Sequence, residues 1–141
     1  MAFSLGFYSD AGLLTPFAGP LSVTQKADGS TGPVDNLLYL GSTVAGRKFQ
    51  ADSNPGIDTI LVSIGDLTPA VGHLPAEVKL ATTLLGLDSA VAGAALNLGT
   101  EILSEVANAQ EIYIRVDDAT MVVGTEIDLF FNTNLLVELD V

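Results

Sequence analysis

Few side chains in this chain are of the types that chemistry uses, and none stands at a spacing that makes them converge. His73 is the single imidazole, in Val71-Gly-His-Leu-Pro75. A general base needs an orienting partner and a nucleophile, and neither a Ser-centred elbow nor a second His accompanies it. It reads as an ordinary exposed loop histidine. The run Asp52-Ser-Asn54-Pro-Gly56-Ile-Asp58 offers oxygen ligands at alternating positions around a glycine turn, as a hard cation requires. It lacks the bidentate Glu that closes a calcium loop and Pro55 stiffens it, so Asx turns joining two strands account for the same residues. Asp117 and Asp118 are adjacent carboxylates, but neighbours on an alternating strand point to opposite faces and do not converge for acid/base work or metal binding. Arg47-Lys48 is the one clustered base, suited to a local contact with a carboxylate on a partner. As an exposed ion pair it would contribute only about 0–1 kcal/mol to stability. No catalytic, cofactor-binding or metal-ligating residue is assigned, and the expectation is a protein that is not an enzyme.

The elements that hold these residues are β-rich. The segments 60–64, 111–117 and 126–131 set apolar residues two apart, the period that lines one face of a strand. Ile60, Val62 and Ile64 share one face, as do Ile112, Ile114 and Val116, and Ile127, Leu129 and Phe131; these nine are the predicted central core. Tyr113, Arg115 and Asp117 are then expected to face solvent. Gly and Pro punctuate at short intervals, at Gly19-Pro20, Asp28-Gly29, Gly32-Pro33, Asn54-Pro-Gly56 and Gly124. Turn signals so spaced between short strands predict an all-β fold, a single antiparallel β-sandwich with at most one or two short helical turns. The predicted strands are 3–8, 20–26, 36–42, 47–52, 58–65, 77–84, 95–103, 110–117 and 124–131, with a last run at 135–140. Within 100–109 the spacing of Ile102, Leu103 and Val106 fits a single helical turn crossing between sheets.

At 141 residues the chain is one domain, residues 1–141, large enough to bury roughly two thirds of its unfolded surface without a disulfide or metal. Residues 1–20, apolar at Phe3, Leu5, Phe7, Leu13, Leu14 and Phe17, are either a first strand or an arm that reaches a neighbour. With 17 acids against five bases the formal charge is −12, which opposes phosphate backbones and anionic lipid. Nucleic acid and membrane are therefore not expected partners. Cysteine is absent, which excludes thiolate chemistry and Cys-based zinc sites. No basic residue precedes Lys26, so the opening residues do not form a secretory signal, and synthesis in a cytoplasm is expected. Asp88 would sit mid-span if 80–100 crossed a bilayer, at a cost of about 2.5–3.5 kcal/mol, and a strand, a Gly/Ala-rich loop and another strand fit that segment better.

Leu38-Tyr-Leu-Gly-Ser42, Gly46-Arg-Lys-Phe-Gln50, Asn54-Pro-Gly-Ile-Asp58 and Ile60-Leu-Val-Ser-Ile-Gly-Asp66 follow one another in a strand-and-turn pattern. It continues through Ala95-Leu-Asn-Leu-Gly99, Ile112-Tyr-Ile-Arg-Val116 and Gly124-Thr125. Over about residues 35–131 this pattern resembles small virion proteins of tailed bacteriophages, Ig-like β-sandwiches that decorate or cement the head shell. The resemblance implies an Ig-like capsid decoration protein, made in the host cytoplasm and added to the outer surface of an assembled capsid. Its partner would be the major capsid protein shell, and no cofactor is implied. Ig-like folds of this kind also serve in tails, so a tail or receptor-facing binding module is the alternative; exposed aromatics would mark it, and Tyr8, Tyr39 and Tyr113 are scattered in the sequence. An apolar content of 48% suits a homo-oligomer, a trimer on a local threefold being favoured.

Overall fold

The computed structural model describes residues 3–17, 21–25, 34–66, 77–116 and 124–141. The described residues form an all-β, antiparallel protein whose helical segments include the short 3-10 turns Leu85–Asp88 and Val106–Asn108. Its strands are β1 (Gly6–Tyr8), β2 (Leu21–Gln25), β3 (Val34–Gly41), β4 (Arg47–Ala51), β5 (Leu61–Asp66), β6 (Val78–Ala81), β7 (Leu96–Asn97), β8 (Ile102–Leu103), β9 (Gln110–Val116), β10 (Gly124–Thr133) and β11 (Leu136–Asp140). They pair into three sheets with orders β1-β3-β9-β6, β2-β10-β5-β7 and β11-β4-β8.

Alternation explains how three sheets share one core. In the first sheet Leu38 and Leu40 of β3 sit opposite Ile112 and Gln110 of β9, while Ile114 and Val116 sit opposite Leu80 and Val78 of β6. All the apolar members of that set turn inward and are buried. The second sheet adds Val62 and Phe131 with the adjoining Ile60, and the third adds Phe49, Ile102 and Leu136. Ile112, Ile114 and Val116 are fully buried as the spacing predicts; Ile60 and Val62 are too, while Ile64 is half-buried against the same cluster. Phe131 is buried; the side chains of Ile127 and Leu129 lie outside the described residues.

Two segments differ from the sequence reading. The strand expected over 95–103 is instead two two-residue strands, β7 pairing β5 and β8 pairing β4 in a different sheet. Gly99, at φ +88°, makes the break, a backbone state that a side chain at that position would strain. The expected strand 77–84 ends at Ala81 and gives way to the 3-10 turn Leu85–Asp88. No described helix is long and apolar enough to cross a membrane. Within residues 3–17 the chain forms β1 and folds back on it, Phe17 N–H donating to Phe7 O at 2.9 Å and Tyr8 bridging Pro16. Gly41 allows that fold-back to lie close, because a Cβ there would come within 2.8 Å of Leu13 Cδ1.

Candidate functional site

The sequence residues weighed for chemistry do not assemble. His73, Asp117 and Asp118 lie outside the described residues. The 52–58 segment is a closed turn: Asn54 O accepts from the amides of Ile57 and Asp58 at 3.0 Å each, and Ser53 Oγ–H donates to Asp58 Oδ2 at 2.7 Å. That arrangement ties one oxygen of Asp58 to the turn. Among the described residues no cluster of three or more His, Cys, Asp or Glu is placed to hold a metal.

Arg47 corrects the expectation that it meets a partner's carboxylate. It bonds Asp140 through Nη1, and its Nε lies 3.7 Å from Glu138 Oε1, with both the Arg47 and Glu138 side chains largely buried. Ser4 donates its hydroxyl to the same Glu138 and accepts one from Ser42 at 2.8 Å, so the N-terminal segment is tied to β11 and to the end of β3. Lys48, one residue on, turns to the opposite face of β4, between Leu139 of β11 and Leu103 of β8.

What the fold does assemble are two surfaces. On the outer face of the first sheet the register sets Tyr8 beside Tyr39, Tyr39 beside Glu111, and Leu37 beside Tyr113. All three tyrosines of the chain, 105 positions apart at the extremes (Tyr8 to Tyr113), thus share one face and are each half-buried. Tyr113 donates to Glu111 Oε2 at 3.2 Å; that bond, then desolvation, then the Glu111 charge push its phenol above the usual tyrosine value. Beside them Arg115 is not simply solvent-facing. It grips Asp35 with two bonds, Nε to Oδ1 at 2.8 Å and Nη2 to Oδ2 at 3.1 Å, and reaches Asp88 Oδ1 at 2.7 Å. The Asp35 bonds first and the Asp88 bond second hold its guanidinium even more firmly protonated than usual. Sequence reasoning missed both groupings because strand pairing, not sequence proximity, creates them.

The second surface belongs to the β11-β4-β8 sheet. Leu136 and Phe49 face the core, while Val137 and Leu139 point outward with Lys48 and Leu103. Phe3 packs edge-to-face on Phe49, ring centroids 5.5 Å apart, and with Thr133, Asn134, Leu135 and Leu136 lines an open depression of about 520 Å³. Compared with models of protein families, with curated proteins and with solved structures, the chain matches none.

Proposed function

We propose that this chain is a structural virion protein, an Ig-like sandwich that binds the outer surface of a tailed-phage capsid and stabilises it. The partner is the major capsid protein shell, reached from the host cytoplasm, and binding as an oligomer strengthens attachment because several shell subunits are engaged at once. Nucleic acid, membrane and cofactors play no part in this reading. The observation that carries it is an antiparallel β-scaffold that keeps large apolar side chains outside its core, at Leu135, Leu139 and Val141 along β11 and its flanks, with Phe3 exposed beside Leu135. Such residues gathered together mark contact surfaces, and the strand-and-turn pattern of residues 35–131 supplies the virion context.

The test is reconstitution. Purified protein mixed with capsids that lack it is expected to co-sediment at a regular stoichiometry and to raise their resistance to heat and osmotic shock. Localisation to the tail, or binding to sugar and not to shells, overturns the reading. The tyrosine face favours a second reading, a tail or receptor-facing module, since Tyr supplies rigid contact area at low entropic cost. Locating the protein in an electron-microscopy map of the particle separates the two.

A further inference from the structure

We propose that the open edge of β11 docks a second copy of this chain, the two β11 strands pairing antiparallel about a twofold axis at Val137. The proposal rests on β11 alone and does not depend on the virion reading.

The backbone of β11 is half used. Asp52 N–H donates to Leu135 O at 2.9 Å and Val141 N–H to Gly46 O at 3.0 Å, so residues 135, 137, 139 and 141 turn their backbone groups toward β4. Alternation turns those of Leu136, Glu138 and Asp140 the other way, where β11 has no ladder partner among the described residues. Several other edges are guarded. The return through Phe17 covers β1, Gly93 N–H meets Val78 O at 2.8 Å on β6, and β7 and β8 are two residues each. Natural edges are commonly kept single by charge. Here the outward face instead carries Leu135 at 74% exposure, half-buried Val137, Leu139 at 39% and Val141 at 77%.

The sequence of the edge says what covers it. With Val137 opposite Val137 of the second copy, Leu135 meets Leu139 and Leu139 meets Leu135, so one face of the new ladder is wholly apolar. Leu136 and Glu138 exchange backbone hydrogen bonds with Glu138 and Leu136, and no like charges stand opposite each other. Sliding by two residues one way sets Glu138 against Glu138, which is unfavourable; sliding the other way loses Leu139 from the apolar row. A single register is therefore self-complementary, the requirement for an isologous contact. It sets the second copy's Leu139 beside Leu135 on the outward face. A twofold contact builds a dimer rather than the trimer expected from sequence. Because each copy carries −12, screening should strengthen the association, the opposite of what a basic partner would show.

The experiment uses the full chain with one engineered thiol, since cysteine is otherwise absent. In the proposed register residue 137 forms a non-hydrogen-bonded pair with itself at a Cα separation of about 4.5 Å, within disulfide range. Val137→Cys is expected to oxidise to a covalent dimer about tenfold faster than Leu103→Cys, which lies on the same sheet face but on β8, at the far edge from β11. Sedimentation equilibrium of the unaltered protein should give a dimer whose fraction rises with salt, and Leu139→Lys should give a monomer with the same β spectrum. A monomer at every ionic strength, a trimer mass, equal oxidation rates for the two thiols, or association that weakens with salt would each overturn the proposal.

Discussion

Phe49→Ala tests whether the β11-β4-β8 sheet is anchored as described. Phe49 is fully buried in β4, opposite Glu138 of β11 and Ile102 of β8, and carries the ring of Phe3 on its edge. Removing the ring exposes about 150 Å² of apolar contact, and at ~25 cal/mol per Å² the transfer term is about 4 kcal/mol. Measured aromatic truncations in cores give about 3–5 kcal/mol, against a total stability of about 5–15 kcal/mol for a domain. For a chain of this size that corresponds to a melting temperature lower by about 10–15 °C. Urea unfolding followed by circular dichroism should show a lower midpoint with an unchanged slope. Phe3→Ala and the double variant complete a cycle, and the edge-to-face contact predicts a coupling of about 0.5–1.5 kcal/mol. A loss under about 1 kcal/mol for Phe49→Ala, or additivity within about 0.3 kcal/mol, would refute the packing described for this sheet.

On β9, Ile114→Asp should abolish the folded β spectrum, because an unpaired buried carboxylate costs several kcal/mol. Its neighbour Arg115→Ala, which the alternation alone treats as neutral, should lower the melting temperature measurably and less so at high salt, since it strands Asp35 and Asp88. Asp10 accepts the amides of Thr15, at 2.7 Å, and Leu14, and these bonds depress its pKa. A depressed folded pKa adds stability above the unfolded value and loses it as pH falls through the folded one. Protection of the Leu14 and Thr15 amides, taken relative to their intrinsic exchange, should therefore fall only below about pH 4, and Asp10→Asn should remove that loss.

The parts of the fold legible in the sequence are those where local pattern and burial agree. Residues 110–116 alternate cleanly because β9 is flanked on both sides, by β3 and by β6, with one face on the core, so every second residue had to be apolar. Nothing local announces Phe49 as the largest fully buried side chain among the described residues, for it follows two basic residues. Arg47 can share its inward face only because Glu138 and Asp140 come from the far end of the chain. The tyrosine face is hidden for the same reason. Its members lie on β1, β3 and β9, and only the register of those strands reveals that they are neighbours.

β11 is the sharpest case, because its alternation is legible and misleading. Leu135, Val137, Leu139 and Val141 read as the core face of a strand, with Glu138 and Asp140 on the solvent side. The structure has the opposite: Leu136 is buried, Glu138 is largely buried, and the four apolar residues face out. A one-residue slip would restore the ordinary pattern, so something must hold the strand the other way. That something is the polar network beneath it: Ser4 and Arg47 against Glu138, Arg47 against Asp140, with Ser42 behind Ser4. Slipping the strand would leave Arg47 and Ser4 without these acceptors. The buried Glu138, with Arg47 and Ser4 around it, therefore fixes the strand's orientation, and the outward apolar row follows from it. The row fixed outward at the expense of burial in its own chain therefore runs beside the one edge of β11 whose backbone groups have no ladder partner among the described residues.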